Sequence, residues 1–415
     1  MSFSEAGAQR VPGAISLDAI LNIFDGVRRR LEARYVGRRE VIRVLQLAVV
    51  CREHVLLLGP PGTAKTDLVA TFARETGTEP FRSLLTRFTE PAELFGPLDA
   101  VKYRDGSYAV QTANMLPQAH LAILDEIFQG SSAILNTLLA LIGDRTFHNG
   151  PVTDAVPLLS LIGTSNELPL DPGLSAFTDR FLLRLRVEPV AGQQLEELLA
   201  RGSQIEAQRV AEAVARRRAP YAPREHWSSA FTPEHADVLS EALAQVDTTA
   251  VRPVYAMLIK DLLRQGVTLS DRRIVQGLKL IAGAALLDKR RESRPADLWP
   301  LAHIWTEPGE DERAVREAVR VVVGADGGDP SFQQRNPRGL IRDAKNVMSH
   351  YTSLRQPGEP DFEDAMNQLN DLQQALPPTA QSERAEIEAM LSRLTALFDA
   401  TFSPLSTDPA GGTDV

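Results

Sequence analysis

The stretch VLLLGPPGTAKT, residues 55–66, decides the fold of this chain. Its first four residues are apolar, as in a strand that is buried on both faces of a parallel sheet. The turn that follows contains two glycines and leads into a helix near Asp67. A strand, a turn and a helix in this order aim successive backbone N–H groups at one point. The stretch therefore predicts an anion-binding cradle for phosphate.

Within this cradle we expect Lys65 to reach the phosphates and the Thr66 hydroxyl to ligate Mg²⁺. Lysine is scarce in this chain and arginine is common, so a lysine kept here favours a compact point charge on phosphate. Ala64 stands where the motif usually has glycine, and a methyl group is tolerated there only at a negative φ, because it strains the left-handed region. The competing interpretation is an ordinary Gly/Pro loop before a helix. The predicted cradle residues are Gly59, Pro60, Pro61, Gly62, Thr63, Ala64, Lys65, Thr66 and Asp67.

Two further apolar runs end in polar side chains. The run 121–124 is followed by Asp125 and Glu126, and the run 158–162 leads to Asn166. The carboxyl ends of strands in an open parallel sheet are where ligands bind. We predict that Asp125 holds Mg²⁺, that Glu126 is the general base for an attacking water, and that Asn166 orients this water. Alternatively, the acidic pair caps the next helix and Asn166 is a turn residue.

The order of elements predicts an α/β core followed by helices. Five apolar runs of strand length alternate with helical patterns, which is typical of a parallel five-stranded sheet with flanking helices. Strand signals vanish after residue 188, and helical spacing continues to 310. Three more helices are predicted between 339 and 402. The five runs are 55–58, 81–85, 121–124, 158–162 and 181–185.

Composition narrows the function classes. The net charge of −9 argues against nucleic acid as the main partner, because an acidic surface repels phosphate backbones. The single cysteine, Cys51, excludes an intrachain disulfide and favours a reducing compartment. The sequence shows neither a signal-peptide pattern nor an apolar run of membrane length. We therefore expect a cytoplasmic protein without a membrane span.

Taken together, these motifs resemble the MoxR branch of the AAA+ ATPases, and within it the RavA-like group. The similarity covers roughly residues 30–305, and Ala64 is common in that family. It is carried by GPPGTAKT (59–66), LTRF (85–88), ELFGPL (93–98), LDEI (124–127), AILNTLL (133–139), SNELP (165–169) and DRF (179–181).

The resemblance implies a role for each nucleotide-site residue. Lys65 and Thr66 match the Walker A motif, Asp125 and Glu126 match Walker B, and Asn166 matches sensor 1. The implied ligands are ATP and Mg²⁺.

The resemblance also implies roles for two arginines that lie far from the cradle in the sequence. Arg180 matches an arginine finger that acts in trans on the ATP of a neighbouring subunit. Arg272 matches the sensor 2 arginine of the lid, with Arg273 as the alternative. For Arg180 the competing interpretation is an ion pair with Asp179.

Val36 and Gly37 resemble the segment that lies against adenine in this family. A glycine at a helix terminus would give the same pattern.

The implied domain order has five parts. These are a disordered N-terminus (1–16), an AAA+ α/β core (17–188) with insertions near 90–116 and 145–157, an α-helical lid (189–310), a helical C-terminal domain (311–402) and a disordered tail (403–415). In the first insertion, residues 103–108 predict a hairpin around the Asp105-Gly106 turn. The aromatic residues Phe95, Tyr103 and Tyr108 either contact a substrate or pack under the insertion.

The resemblance implies a hexameric homo-oligomeric ring that hydrolyses ATP with Mg²⁺ at its subunit interfaces. This activity would remodel or activate a protein complex in a chaperone-like way, with a von Willebrand A domain protein as the implied partner. One alternative is a nucleotide-dependent switch that recruits a partner without remodelling it. Another is a DNA motor, which the acid-rich insertion at 90–116 disfavours.

Overall fold

The computed structural model describes residues 16–169, 171–190, 194–218, 231–307, 309–324, 337–353, 358–374, 376 and 381–402. Its contacts divide the chain into two units, residues 1–333 and 334–415. The segments 1–16 and 403–415, for which we predicted disorder, lie outside the described residues except for Ser16.

The first unit is built on a five-stranded parallel sheet, as predicted. Its order is β2-β3-β6-β1-β7, so β1 lies between β6 and β7. All four residues of β1 are buried, which explains their continuous apolar pattern. The strands are β1 (Val55–Leu58), β2 (Phe81–Leu84), β3 (Leu121–Asp125), β6 (Ser160–Ser165) and β7 (Leu183–Arg186), and a separate antiparallel hairpin consists of β4 (Thr146–Asn149) and β5 (Val152–Ala155).

Helices surround this sheet. The Ser16 hydroxyl caps the first of them by accepting from the Ala19 N–H at 3.3 Å. The helices of this layer are α1 (Leu17–Arg34), α2 (Arg39–Cys51), α3 (Lys65–Glu75), α4 (Pro91–Phe95), α5 (Ala100–Arg104), α6 (Ser132–Gly143) and α7 (Ser175–Asp179).

A helical layer without strands among its described residues follows the sheet. Within it, α11 approaches α2 so closely that a Cβ on Gly283 would lie 2.2 Å from the sulfur of Cys51. Cys51 is therefore a core residue at a helix–helix contact. The helices are α8 (Leu195–Arg218), α9 (Pro233–Ala244), α10 (Arg252–Arg264), α11 (Asp271–Leu287) and α12 (Glu310–Gly324), with a 3₁₀ helix over Pro295–His303.

Helix α12 corrects the predicted boundary after residue 310. It packs on the 3₁₀ helix of the first unit and buries Val315, Val319 and Val323 in the same core as the sheet. Arg186 at the end of β7 also pairs with Glu312 of α12 at 3.0 Å. The division therefore falls after residue 333, because burial of one face of α12 ties it to the preceding helices.

The prediction of a hairpin at residues 103–108 is wrong. Asp99 caps a short helix, α5, by accepting from the backbone N–H groups of Val101 and Lys102. Gly106, at φ +81°, then ends this helix instead of closing a β-turn. An Asp-Gly pair can close a β-turn or end a helix. The N-cap at Asp99 favours the helix in this segment.

The predicted insertion at 145–157 does contain a hairpin, β4–β5, and it is joined to the first insertion. The Asn149 side chain donates to the Val110 carbonyl at 3.1 Å and accepts from the Val110 N–H at 2.7 Å. Gly150, at φ +65°, lies so close that a Cβ would meet the Tyr108 carbonyl oxygen at 1.9 Å. Phe95 is buried against Phe147, so packing explains this aromatic residue.

The tyrosines of the first insertion remain at the surface. Tyr103 is 60% exposed and Tyr108 is 64% exposed. Packing under the insertion therefore does not account for them.

The second unit is a three-helix bundle formed by α13 (Pro337–Ser353), α14 (Glu359–Gln374) and α15 (Gln381–Phe402). Its own apolar core includes Ala344, Leu369, Ile387 and Leu394, all fully buried. The described part of this unit contains no strand. Over the described residues of the whole chain, no helix combines the length and apolar character needed to cross a bilayer.

Candidate functional site

The cradle lies at the carboxyl end of β1 and has the backbone of an anion-binding nest. Gly59, Gly62 and Ala64 all have positive φ, at +144°, +80° and +62°. Gly59 cannot be replaced without a shift, because a Cβ there would lie 2.2 Å from the Val187 carbonyl oxygen. The expected negative φ at Ala64 is wrong, because the nest requires a left-handed residue before the helix. An L residue in this region costs roughly 1–2 kcal/mol.

The Lys65 ammonium folds back over the cradle. It donates to the carbonyl oxygens of Gly59 at 2.6 Å and Pro60 at 2.9 Å. Partial burial lowers its pKa, and the charge of Arg38 acts in the same direction, while the charges of Glu126 and Asp125 oppose both. The lysine thus lies at the cradle within electrostatic reach of the acidic pair.

Asp125, the last residue of β3, collects two hydroxyl groups on one oxygen. Thr66 donates to Asp125 Oδ1 at 2.7 Å and Thr164 donates to the same atom at 2.9 Å. Hydroxyl and carboxylate oxygens are the ligands that Mg²⁺ prefers. Sequence reasoning missed Thr164, which the pairing of β3 with β6 brings beside Asp125.

Glu126 and Asn166 lie at the same edge of the sheet. Glu126 is half-buried and strained, with φ +52° and ψ +47°. Non-glycine residues in this region concentrate at functional sites. Asn166 has an exposed side chain, and its carbonyl accepts from the Gly59 N–H at 3.1 Å, which places it beside the cradle.

The segment before α2 is fixed against the first turn of α3. The Tyr35 hydroxyl donates to Asp67 Oδ2 at 2.6 Å and lies 2.9 Å from the Thr71 hydroxyl. Burial and the hydrogen bond to Asp67 together raise the pKa of Tyr35 to about 12. Val36 is buried, and Gly37 has φ +66°. Asp67 is therefore engaged by Tyr35, which anchors Val36 and Gly37 near the cradle.

Arg38 is a second cation at the cradle, and sequence reasoning missed it. The residue is 8% exposed, and its guanidinium donates to the carbonyl oxygens of Thr63 at 3.3 Å and Gly37 at 3.2 Å. Burial lowers its pKa. The sequence signal that could have identified Arg38 is its position as a charged residue directly after Gly37.

Arg180 lies at the opposite edge of the sheet from the cradle. It precedes β7, whereas Val187 after β7 contacts Gly59, and the four residues of β7 alone span roughly 13 Å. Its guanidinium rests on Gly143, where a Cβ would lie 3.0 Å from Cζ. In the described part of the chain we find no hydrogen bond or ion pair from this guanidinium.

Asp179 pairs with Arg273 instead of Arg180. The Arg273 Nε donates to Asp179 Oδ1 at 2.6 Å from a side chain that is 1% exposed. The alternative of an Asp179–Arg180 ion pair is therefore wrong.

Arg272 is half-buried and lies at the same edge as Arg180, near enough for its charge to help lower the pKa of His54, the residue before β1. The structure brings neither Arg272 nor Arg273 to the cradle of its own subunit.

The nucleotide cradle, the acidic strand end beside it and the helical layer behind the sheet define an AAA+ protein. A family profile described as "MoxR domain in the MoxR-vWA-beta-propeller ternary systems" matches residues 22–219, and an "AAA lid domain" profile matches 254–319. The chain belongs to the MoxR family of AAA+ proteins.

Of three similar proteins, one carries the MoxR name, one is uncharacterized and one shows the shared fold alone. An uncharacterized protein of Methanocaldococcus jannaschii is 33% identical over 344 residues, which are 83% of this chain and 84% of that protein. The chaperone MoxR1 of Mycobacterium tuberculosis is 27% identical over 193 residues, 46% of this chain and 50% of MoxR1. A crystal structure from Cytophaga hutchinsonii, described as a candidate ATPase, superposes with a TM-score of 0.55 at 16% identity over 74% of this chain and 95% of its own.

Proposed function

We propose that this chain hydrolyses ATP with Mg²⁺ at the subunit interfaces of a homo-oligomeric ring. The observation that carries the proposal is the convergence of the Thr66 and Thr164 hydroxyls on Asp125 Oδ1, beside a cradle occupied by the Lys65 ammonium. A phosphate chain in the cradle would replace the carbonyl partners of Lys65.

The donor set at Asp125 fits a hard divalent cation. Thr66 and Asp125 would hold it, and the bound ion would neutralise charge on the phosphates. Thr164 then fixes the rotamer of the Asp125 carboxylate. Glu126 would accept a proton from the attacking water, and Asn166 would orient that water. The strained backbone of Glu126 supports this role, because strain at a single residue is kept where geometry matters.

The separation of Arg180 from its own cradle supports catalysis in trans. A side chain at the amino edge of the sheet cannot reach phosphates bound at the carboxyl edge of the same subunit. The guanidinium of Arg180 is available to a neighbouring subunit, where it would stabilise charge on the transferred phosphoryl group. Arg272 lies at the same edge, and we propose the same direction of action for it. The ring is expected to be a hexamer from the family resemblance.

We propose that ATP turnover drives chaperone-like remodelling or activation of a partner complex. The family profile names MoxR, von Willebrand A and β-propeller components in one ternary system. On that basis we propose a von Willebrand A domain protein as the partner. Membership of the RavA-like group stays a prediction from the sequence motifs.

The test is the ATPase activity of the purified full chain and of Glu126→Gln. We expect Glu126→Gln to bind ATP but to lose at least about 10²-fold in kcat, as removal of a general base does. Glu79→Gln is the matched control, because Glu79 is an exposed carboxylate on the loop before β2. Equal turnover by Glu126→Gln and the parent would overturn the proposal.

The same variant tests the partner. In the presence of ATP, Glu126→Gln should retain a von Willebrand A domain protein that the parent releases as it turns over. Retention that is the same with ATP, with ADP and without nucleotide would contradict nucleotide-driven action.

A further inference from the structure

The turn at residues 178–182, which carries Arg180, is held by two buried guanidinium groups. Arg184 and Arg273 are each 1% exposed. Arg184 donates to the Thr178 carbonyl at 2.6 Å and to the Phe181 carbonyl at 3.3 Å. Arg273 donates to the carbonyls of Phe181 at 3.0 Å and Leu182 at 3.2 Å, in addition to the Asp179 carboxylate. The peptide groups around Arg180 are therefore fixed from two sides.

The two arginines come from different layers of the first unit. Arg184 belongs to β7 in the sheet, and Arg273 belongs to α11 in the lid. Both also reach the segment after the 3₁₀ helix, where Arg273 donates to the Ile304 carbonyl at 2.9 Å and Arg184 donates to the Thr306 carbonyl. The turn is thus the joint between lid and core.

Burying two charged guanidinium groups at this contact between lid and core costs free energy of desolvation. Among the described residues, Arg273 pairs with one carboxylate, that of Asp179, whereas the hydrogen bonds of Arg184 all go to backbone carbonyls. Burial, together with the charge of Arg273, lowers the pKa of Arg184 to about 9. Apolar side chains of similar volume are often as stable as buried ion pairs. A planar guanidinium group can donate to several carbonyl oxygens at once. This fixes the positions of those peptide groups in a way that apolar packing does not.

The side chain of Arg180 differs from those of Arg184 and Arg273 in how it is held. Its guanidinium lies over Gly143, which has no side chain to compete for the space, and no partner holds it among the described residues. The backbone at Arg180 is rigid while its guanidinium is available to another molecule.

We propose that Arg273 is a positioning residue for Arg180, through which the lid of one subunit sets the arginine offered to the next subunit. This inference rests on the proposed function. Arg273 is buried and its guanidinium donates to protein groups, so it would act through the turn at 178–182 without touching substrate. Movement of α11 relative to the sheet would displace this turn, and with it the guanidinium at the neighbouring cradle.

The first test is Arg273→Lys, which keeps the charge and removes the fork. We expect kcat to fall by about 10²-fold, as for a misplacement of about 1 Å. The affinity for a non-hydrolysable ATP analogue should be unchanged, because the subunit's own cradle lies at the other edge. Lys279→Gln is the matched control, since it removes another lid–core ion pair of α11, to Glu53 at 2.7 Å, away from the turn. It should keep the parent's kcat, and an equal fall in both variants, or none in Arg273→Lys, would overturn the inference.

Mixed assemblies separate positioning from structural damage. Lys65→Ala subunits have a defective cradle and an intact turn, so they should restore turnover to the intact cradles of Arg273→Lys subunits. Random mixing in equal amounts puts the two intact halves together at about a quarter of the interfaces. Damage confined to the Arg273→Lys subunit itself would not be rescued.

Arg180→Ala mixed with Lys65→Ala is run alongside. If this pair fails to recover activity, the shared site and the proposed function fail. If it recovers activity and Arg273→Lys with Lys65→Ala does not, the positioning inference alone is overturned. Should Arg273→Lys not fold, as judged by thermal unfolding, Asp179→Asn replaces it in the same mixtures, with the same expected rescue.

Discussion

The hydroxyl of Thr164 donates to Oδ1 of Asp125 at 2.9 Å, although the two residues lie on different strands, β6 and β3. The register of these strands brings a buried hydroxyl to the acidic strand end. This bond fixes the carboxylate before any ligand binds, and its removal gives the first prediction.

Thr164→Val should leave Asp125 with one hydroxyl donor and lower the free energy of unfolding by about 1.5–3 kcal/mol, the range for hydrogen bonds to charged groups. Urea unfolding measures this change. The Mg²⁺ concentration for half-maximal ATPase activity should also rise. Thr137→Val, at an exposed hydroxyl on α6 that donates to the Ala133 carbonyl, should change stability by no more than about 0.5 kcal/mol. Equal effects of the two replacements would argue against a special role for Thr164.

Ala64→Gly should stabilise the fold without nucleotide. Relief of left-handed strain is worth roughly 1–2 kcal/mol, and the added freedom of glycine in the unfolded chain offsets about 0.5–1 kcal/mol. We therefore expect a net gain of between zero and about 1.5 kcal/mol in chemical denaturation. Ala70→Gly, within α3 where φ is helical, should destabilise by about 1 kcal/mol. A loss of stability in Ala64→Gly would contradict the strained backbone at this position.

His54 should make stability depend on pH below neutrality. Burial lowers its pKa to about 3, and the charge of Arg145 contributes. The folded-state pKa lies below the unfolded value near 6.5, so the stabilisation from neutral His54 is complete above about pH 6.5 and is lost as the pH falls toward 3. Stability curves from pH 7 to 4 should be flatter in His54→Gln than in the parent. His148→Gln, at an exposed ring on β4, should keep the parent's curve, and identical curves for all three would exclude this role of His54.

Gly143→Ala should separate turnover from stability. The added methyl would meet the Arg180 guanidinium at 3.0 Å and displace it, and a misplacement of about 1 Å can cost about 10²-fold in rate. The fold itself should be unchanged or more stable by up to about 1 kcal/mol, because alanine favours the helix. Gly202→Ala on α8 has no atom near its new methyl, so it should gain similar stability and keep full turnover. Steady-state ATPase assays with thermal unfolding distinguish these outcomes.

The sequence pattern predicted most of this fold because its strands are short, apolar and buried on both faces. It also predicted which strand ends carry Lys65, Asp125 and Asn166. It failed at Ala64 and at residues 103–108, where one backbone angle or one helix cap selects between two local structures. The local composition does not show which of the two local structures forms.

The sequence pattern could not predict contacts between segments that lie far apart in the chain. Thr164, Arg38 and the engagement of Asp179 by Arg273 depend on strand pairing and on the packing of the lid. The boundary after 310 failed for the same reason, because only the packed structure shows which neighbours bury Val315 and Val319.

The side-chain amide of Asn149, which grips both polar groups of the Val110 peptide, makes two sequence-distant loops one mechanical piece. If the chain remodels a client as proposed, a force on the exposed tyrosines of the first loop would pass to the hairpin β4–β5 and along the chain to β6, which ends at Ser165 beside Asn166. Grafting either loop alone onto a relative would cut this transmission, so the two should be exchanged as a pair.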